Sequence, residues 1–75
     1  MEKNKVENVI KKIALARSKK GFTYDNMADE LSITPAAYRK IETGETKLTV
    51  ERLFRISEIL EITIGELLDI ESVFQ

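Results

Sequence analysis

Side chains that could catalyse a reaction or bind a metal are scarce in this chain of 75 residues, which contains neither histidine nor cysteine. The sequence therefore offers no imidazole base, no thiolate nucleophile and no zinc site built on those ligands. The remaining candidates for metal ligands or an acid pair are Glu58, Glu61, Glu66, Asp69 and Glu71. Their mixed spacing, without a ligand-bearing turn, is typical of a solvated helix face. We expect no catalysis, no cofactor and no metal.

Charge is the second chemical feature, and it is unevenly distributed along a chain whose net charge is only −1. Residues 1–20 carry seven Lys or Arg against two Glu, whereas residues 49–75 carry two Arg against six acidic residues. A basic front and an acidic back would orient a small protein on a polyanion, but solvated helix faces produce the same asymmetry. The charge pattern leaves both interpretations open.

Length and composition predict one soluble domain. With 43% hydrophobic and 33% charged residues, the chain is too apolar to be disordered, and it has no apolar run long enough to span a bilayer. Its N-terminus lacks the continuous apolar stretch of a signal peptide. We expect a cytoplasmic protein with no membrane contact and a single domain over residues 1–75, with its core in 6–68 and a C-terminal tail at 69–75.

Five helices are predicted to position the functional side chains. In the first, apolar residues recur at steps of three and four, and Gly21 follows where glycine can end a helix. Four later starts share an apolar residue, a threonine cap, and an apolar residue five positions after the first. These starts are Phe22-Thr23 with Met27, Ile33-Thr34 with Tyr38, Leu48-Thr49 with Leu53, and Ile62-Thr63 with Leu67. The predicted helices span residues 3–20, 24–31, 35–43, 50–60 and 64–70.

Local signals refine the helix ends and the core. Pro35 follows its cap at the first helical position, Gly44 closes the third helix, and Thr63 with Glu66 forms a capping box. Tyr38 could stack on a base, but its staple position favours the core. The apolar stripes predicted to be buried comprise Val6, Val9, Ile10, Ile13 and Ala14, then Leu53, Phe54, Ile56, Ile59 and Leu60, then Ile64, Leu67 and Leu68.

The second and third helices carry a recognisable pattern. The runs from Phe22 to Thr34 and from Tyr38 to Gly44 resemble the helix-turn-helix of Cro and phage repressors, the XRE family. The resemblance spans about residues 6–68 and includes Ile41-Glu42-x-Gly44, Leu60-x-Ile62-Thr63 and Leu67-Leu68. It implies an all-α fold, a compact five-helix lambda-repressor-like DNA-binding domain with the helix-turn-helix at helices 2 and 3. Small Ala28 would lie where these helices cross, and helix 3 would enter the major groove.

The resemblance also implies roles for individual residues. Base edges would face Pro35, Ala36, Ala37, Arg39 and Lys40, whereas phosphates would meet Thr23, Tyr24, Thr34, Thr46 and Lys47. Arg17 and Glu42 stand where the family has an ion pair, although they could also be independent surface charges. The sequence departs from the family at Tyr24, Ser32 and Leu48, where glutamine, glycine and proline are usual. If Ser32 takes a positive φ, the strain costs up to about 1–2 kcal/mol.

The function implied is that of a sequence-specific regulator of transcription that binds double-stranded DNA. We expect a repressor that occupies a palindromic operator as a homodimer, with dimer contacts from Ile64, Val73 and Phe74. The apolar tail could equally fold back onto its own core. A second hypothesis, favoured by the acidic back half, is a protein-interaction module such as the antitoxin of a toxin–antitoxin pair, with a small protein partner.

Overall fold

The computed structural model describes residues 2–68, and the side chains of residues 5–68. Its five helices are α1 (Glu2–Lys20), α2 (Tyr24–Leu31), α3 (Pro35–Thr43), α4 (Val50–Leu60) and α5 (Ile64–Leu68). The all-helical prediction is confirmed, and α2, α3 and α4 have the predicted bounds. Helix α1 begins one residue earlier than predicted, and residues 69 and 70 of the predicted fifth helix lie outside the described residues. Within residues 2–68, no helix combines the length and apolarity needed to cross a membrane.

Four of the helices have a threonine at the N-cap, as the repeated cap pattern predicts. Each hydroxyl accepts a hydrogen bond from the backbone N–H three residues later, at 3.0–3.1 Å, which satisfies a donor that the first helical turn leaves free. The caps are Thr23, Thr34, Thr49 and Thr63. The backbone N–H of Thr63 donates to Glu66 at 3.0 Å, which completes the predicted capping box. A second box, from the Thr23 N–H to Asn26 Oδ1 at 2.9 Å, was not predicted.

Left-handed residues end four helices. Gly21 and Gly44 have φ values of 80° and 82°, as expected for glycines that close helices. Ser32 has φ 59°, which confirms the strained turn between α2 and α3, and Glu61 adopts φ 56° after α4, which the sequence did not predict. The Glu61 carboxylate lies 2.7 Å from Lys20 Nζ, and the hydrogen bond from this ammonium lowers the pKa of Glu61. This surface pair links the end of α1 to the α4–α5 turn.

All five helices contribute to one buried cluster. Helices α2 and α3 make the most extensive contact, and Ala28 is fully buried in α2, in line with its predicted place at the crossing. Tyr38 is also fully buried, which confirms its place in the core and excludes stacking of its ring on a base. The buried apolar residues are Ile13, Met27, Ala28, Tyr38, Ile41, Ile56, Leu60 and Leu67.

Three residues predicted to be buried are exposed instead. Phe54 and Leu68 are 54% and 40% exposed, because each directly follows a residue that turns inward and consecutive helical side chains diverge by about 100°. Their predecessors, Leu53 and Leu67, are partly buried and buried. Val6 is 49% exposed and lies in the first part of α1, where residues 5–8 are all exposed. Burial along this helix begins at Val9 and is complete at Ile13.

Candidate nucleic-acid interface

The exposed side of α3 carries most of the side chains that the resemblance assigns to base reading. The helix starts at Thr34, whose hydroxyl accepts from the Ala37 N–H at 3.1 Å, and Pro35 follows at the first helical position. Pro35, Ala36, Arg39 and Lys40 are exposed, whereas Ala37 is half-buried. The solvent-facing side of α3 therefore presents Pro35, Ala36, Arg39 and Lys40 fully and Ala37 in part.

A groove of about 380 Å³ between α3 and the beginning of α4 brings several of these residues together. Its lining comprises Ile33, Thr34, Ala36, Ala37, Lys40, Ile41, Thr46, Thr49 and Arg52. The lining thus joins three residues assigned to bases with two assigned to phosphate, Thr34 and Thr46. Lys47 borders a different groove with Thr46, between the α3–α4 loop and α1. Thr23 and Tyr24 lie at the start of α2, outside both grooves.

Three cations on this side of the molecule have no side-chain partner among the described residues. Arg39, Lys40 and Lys47 make no side-chain hydrogen bond or ion pair within the part of the chain that the structure describes. Lys20 and Arg55, by contrast, pair with Glu61 at 2.7 Å and Glu58 at 3.3 Å. The α3 surface and the loop after it therefore carry positive charge that no acidic side chain within residues 2–68 pairs with, although the net charge of the chain is −1.

The structure brings Arg17 and Glu42 together in a partly buried ion pair. Arg17 Nε and Nη2 donate to the two carboxylate oxygens at 2.6 and 3.2 Å, and Nη1 donates to the Phe22 carbonyl at 2.8 Å. The Glu42 side chain is only 5% exposed. Hydrogen bonding to Glu42 raises the pKa of Arg17. The alternative of two independent surface charges does not fit this geometry.

Two tyrosines complete the surroundings of this pair. The Tyr38 hydroxyl donates to Glu42, and burial together with this carboxylate raises the pKa of Tyr38. The Arg17 guanidinium lies over the Tyr24 ring, 4.7 Å from its centroid, and the Tyr24 and Tyr38 rings are 5.7 Å apart. Sequence reasoning missed all three contacts, although the four-residue spacing of Tyr38 and Glu42 on one helix was a usable signal. The network fixes α3 against α1 and holds the Tyr24 ring at the start of α2.

Thr49 and Arg52 line the α3–α4 groove but were not among the predicted site residues. Thr49 caps α4 by accepting from the Arg52 N–H at 3.1 Å. Arg52 is half-buried, and its side chain makes no hydrogen bond or ion pair within residues 2–68. The only signal in the sequence was an arginine one turn after a predicted helix start.

Ile64, the one predicted dimer contact that the structure describes, lies outside the α3–α4 groove, and so do Glu58, Glu61 and Glu66. Ile64 is half-buried at the start of α5, and Val73 and Phe74 lie outside the described residues. In the described part of the chain, no group of three or more acidic side chains is arranged to hold a metal ion. Glu66 instead accepts from Thr63, and these hydrogen bonds lower the pKa of Glu66.

Comparison with known proteins assigns the chain to a family. The helix-turn-helix family matches residues 13–67, most of the chain, so the protein belongs to that family, in its Cro and phage-repressor branch. It is 47% identical over 45 residues to the cryptic phage CTXphi transcriptional repressor RstR of Vibrio cholerae serotype O1, covering 60% of this chain and 40% of that protein.

A second relative matches a larger part of the chain. The chain is 42% identical over 62 residues to the uncharacterized HTH-type transcriptional regulator YqaE of Bacillus subtilis strain 168, covering 79% of this chain and 53% of that protein. The chain therefore spans about half the length of the curated relatives that it matches. No solved structure matches it.

Proposed function

We propose that this protein is a sequence-specific regulator of transcription that binds double-stranded DNA through α3. The observation that carries the proposal is the α3–α4 groove, which joins Ala36 and Lys40 to Thr34 and Thr46 beside cations that have no partner within residues 2–68. A groove of this composition suits a polyanion, because unpaired cations and hydroxyls can donate hydrogen bonds to phosphate and base edges. Family membership and the names of the two relatives support the same role.

In this proposal α3 lies in the major groove and reads bases with five residues. Arg39 and Lys40 donate to guanine O6 and N7, and the methyl groups of Ala36 and Ala37 contact thymine methyls. Pro35, exposed at the first turn, would contact a base edge by apolar packing. Half-buried Ala37 makes the smallest contribution.

The proposed phosphate contacts flank that helix. Thr34, Thr46 and Lys47 are exposed near α3, and Thr23 lies at the start of α2. The Tyr24 hydroxyl has no hydrogen-bond partner among residues 2–68, and its ring is held beneath Arg17, so the hydroxyl is held ready for a phosphate oxygen. Such contacts fix the register of the protein on the duplex.

We further propose repression by a homodimer on a palindromic operator with half-sites about one helical turn apart. RstR is named a repressor, and occupancy of a promoter requires no cofactor and no catalysis. Ile64, Val73 and Phe74 are the proposed dimer contacts. In sedimentation equilibrium, the wild type is expected to be dimeric and Ile64→Asp monomeric, with an unchanged helical circular dichroism spectrum as the folding control. A monomeric wild type that binds single half-sites would contradict this part.

Selection of bound sequences from a random duplex pool tests the main proposal. The wild type is expected to enrich a palindrome, and Arg39→Ala/Lys40→Ala is expected to lose that enrichment. The matched control is Lys20→Ala/Arg55→Ala, which removes two cations that are engaged by Glu61 and Glu58. It is expected to enrich the same sequence as the wild type.

No enrichment by the wild type, together with at most weak and salt-sensitive binding, would refute the proposal. Co-purification of a stoichiometric small protein would then favour the second hypothesis, a protein-interaction module such as an antitoxin. Equal losses in the test and control pairs would show that total positive charge, and not the α3 surface, determines binding.

A further inference from the structure

One cation in the α3–α4 groove has no role in the function proposed above. Arg52 is the third residue of α4, and it lines the groove together with Thr34, Lys40 and Thr46. It therefore borders the α3 surface although it belongs to a different helix. Its backbone N–H is used by the Thr49 cap, but its side chain takes no part in that contact.

The hydrogen-bond donors of the Arg52 guanidinium are unused within residues 2–68. A guanidinium carries five N–H donors, and that of Arg52 meets no acceptor within residues 2–68 although the residue is half-buried. The neighbouring arginine of α4 behaves differently, because Arg55 donates to Glu58 at 3.3 Å and to the Glu30 carbonyl at 3.4 Å. Glu51 precedes Arg52 in the chain, but these two residues form no ion pair within residues 2–68, since adjacent helical residues do not face each other.

We infer that Arg52 donates hydrogen bonds to a backbone phosphate of the DNA bound at α3. This inference rests on the proposed function and adds a contact from α4 to it. The planar fork of an arginine matches the geometry of phosphate oxygens, and charge-assisted bonds of this type are strong. A phosphate contact on α4 would help to fix the angle at which α3 enters the major groove, because α4 would then be tied to the same duplex in addition to α2 and α3.

A base contact fits Arg52 less well than a phosphate contact. The residue lies beyond α3 at the start of the next helix, and its half-buried stem shortens its reach into a DNA groove. Phosphate contacts carry no direct sequence information, so Arg52 would strengthen binding to every duplex alike. This uniform effect separates its role from those of Arg39 and Lys40.

Equilibrium binding to the selected operator and to a scrambled duplex, each over a range of salt concentrations, tests the inference. Arg52→Ala is expected to weaken binding to both duplexes by a similar factor, roughly tenfold at low salt. The slope of log affinity against log salt is expected to fall in magnitude by about 1. Arg52→Lys is expected to keep the wild-type slope and to recover part of the affinity.

The matched control is Arg55→Ala, which removes the same charge from the same helix outside the groove and is expected to bind like the wild type. Thermal unfolding of Arg52→Ala is expected to stay close to that of the wild type, because the guanidinium meets no acceptor within residues 2–68 and only the packing of its stem is lost. A lower melting temperature would assign Arg52 to the fold and overturn the inference.

Three binding outcomes would overturn the inference, and they differ in what they imply for the proposed function. Equal binding by Arg52→Ala and Arg55→Ala would overturn the phosphate contact and leave DNA binding standing. A loss confined to the operator would assign Arg52 to base reading. Failure of the wild type to bind any duplex at low salt would overturn the proposed function, and the inference with it.

Discussion

Glu42→Ala removes the carboxylate that receives two bonds from Arg17 and one from Tyr38. Breaking a buried ion pair by deleting one partner costs about 3–5 kcal/mol, because the remaining charge is left buried and uncompensated. Arg17 is 18% exposed and keeps its bond to the Phe22 carbonyl, which reduces the penalty. The stranded Tyr38 hydroxyl adds to the loss. We expect a destabilisation of about 3 kcal/mol.

A loss of this size is large for a chain of 75 residues. Domains of this length have unfolding free energies of roughly 4–11 kcal/mol, and each kcal/mol shifts the melting temperature by about 4–8 °C. Glu42→Ala is therefore expected to lower the melting temperature by about 12–24 °C. Urea unfolding followed by circular dichroism at several temperatures measures both quantities, because small domains of this kind usually unfold in two states.

The control for Glu42→Ala is Glu58→Ala, which breaks the exposed pair with Arg55. Both side chains of that pair are more than half exposed, so the expected loss is under about 1 kcal/mol. A double variant, Arg17→Met/Glu42→Leu, removes both buried charges and is expected to lose less than the two single changes combined. Equal losses of unfolding free energy from Glu42→Ala and Glu58→Ala would refute the argument that burial makes the Arg17–Glu42 pair more stabilising than an exposed pair.

Three further variants test individual features of the fold. Ser32→Gly is expected to raise the unfolding free energy by about 0.5–1 kcal/mol in urea titration, because glycine accepts φ 59° without strain; no gain would contradict that strain. Ala28→Leu is expected to cost about 1–3 kcal/mol by overpacking the α2–α3 contact, and a neutral result would indicate spare volume there. Wild-type stability is expected to fall as pH rises above about 10, because the folded state raises the pKa of Tyr38 and holds its proton. Tyr38→Phe is expected to lose that part of the alkaline dependence, as measured by unfolding at a series of pH values, and an unchanged dependence would assign it to other groups.

The helices were predictable because their signals are local. A threonine hydroxyl and the N–H three residues later meet whenever the chain turns into a helix, so Thr34 and Thr49 fixed the starts of α3 and α4 without any tertiary information. Left-handed ends at Gly21 and Gly44 are local in the same sense. The prediction that Phe54 is buried was wrong, because a run of apolar residues does not indicate which of two neighbours faces the core.

The site was only partly predictable, because its contacts cross between helices. Arg17 and Glu42 are 25 residues apart, so no periodicity joins them, and their pairing came from the family resemblance. The position of Tyr24 beneath Arg17 depends on how α1 meets α2. The place of Arg52 beside α3 depends on the path of the loop from residue 44 to 49. Neither the contact of α1 with α2 nor the path of this loop is encoded in a local pattern of caps or apolar stripes.

The net charge of −1 is a poor guide to what this protein can bind, because most of its engaged acids lie away from α3. Glu61 and Glu58 are paired with Lys20 and Arg55, and Glu42 is buried against Arg17. Lys40 and Arg52 line the α3–α4 groove, and within residues 2–68 no acidic side chain pairs with either of them. Since a duplex meets one face of a protein and not its average charge, the local balance on that face determines the attraction. A protein with an acidic isoelectric point can therefore present cations to a polyanion on one face, as the α3–α4 groove presents Lys40 and Arg52.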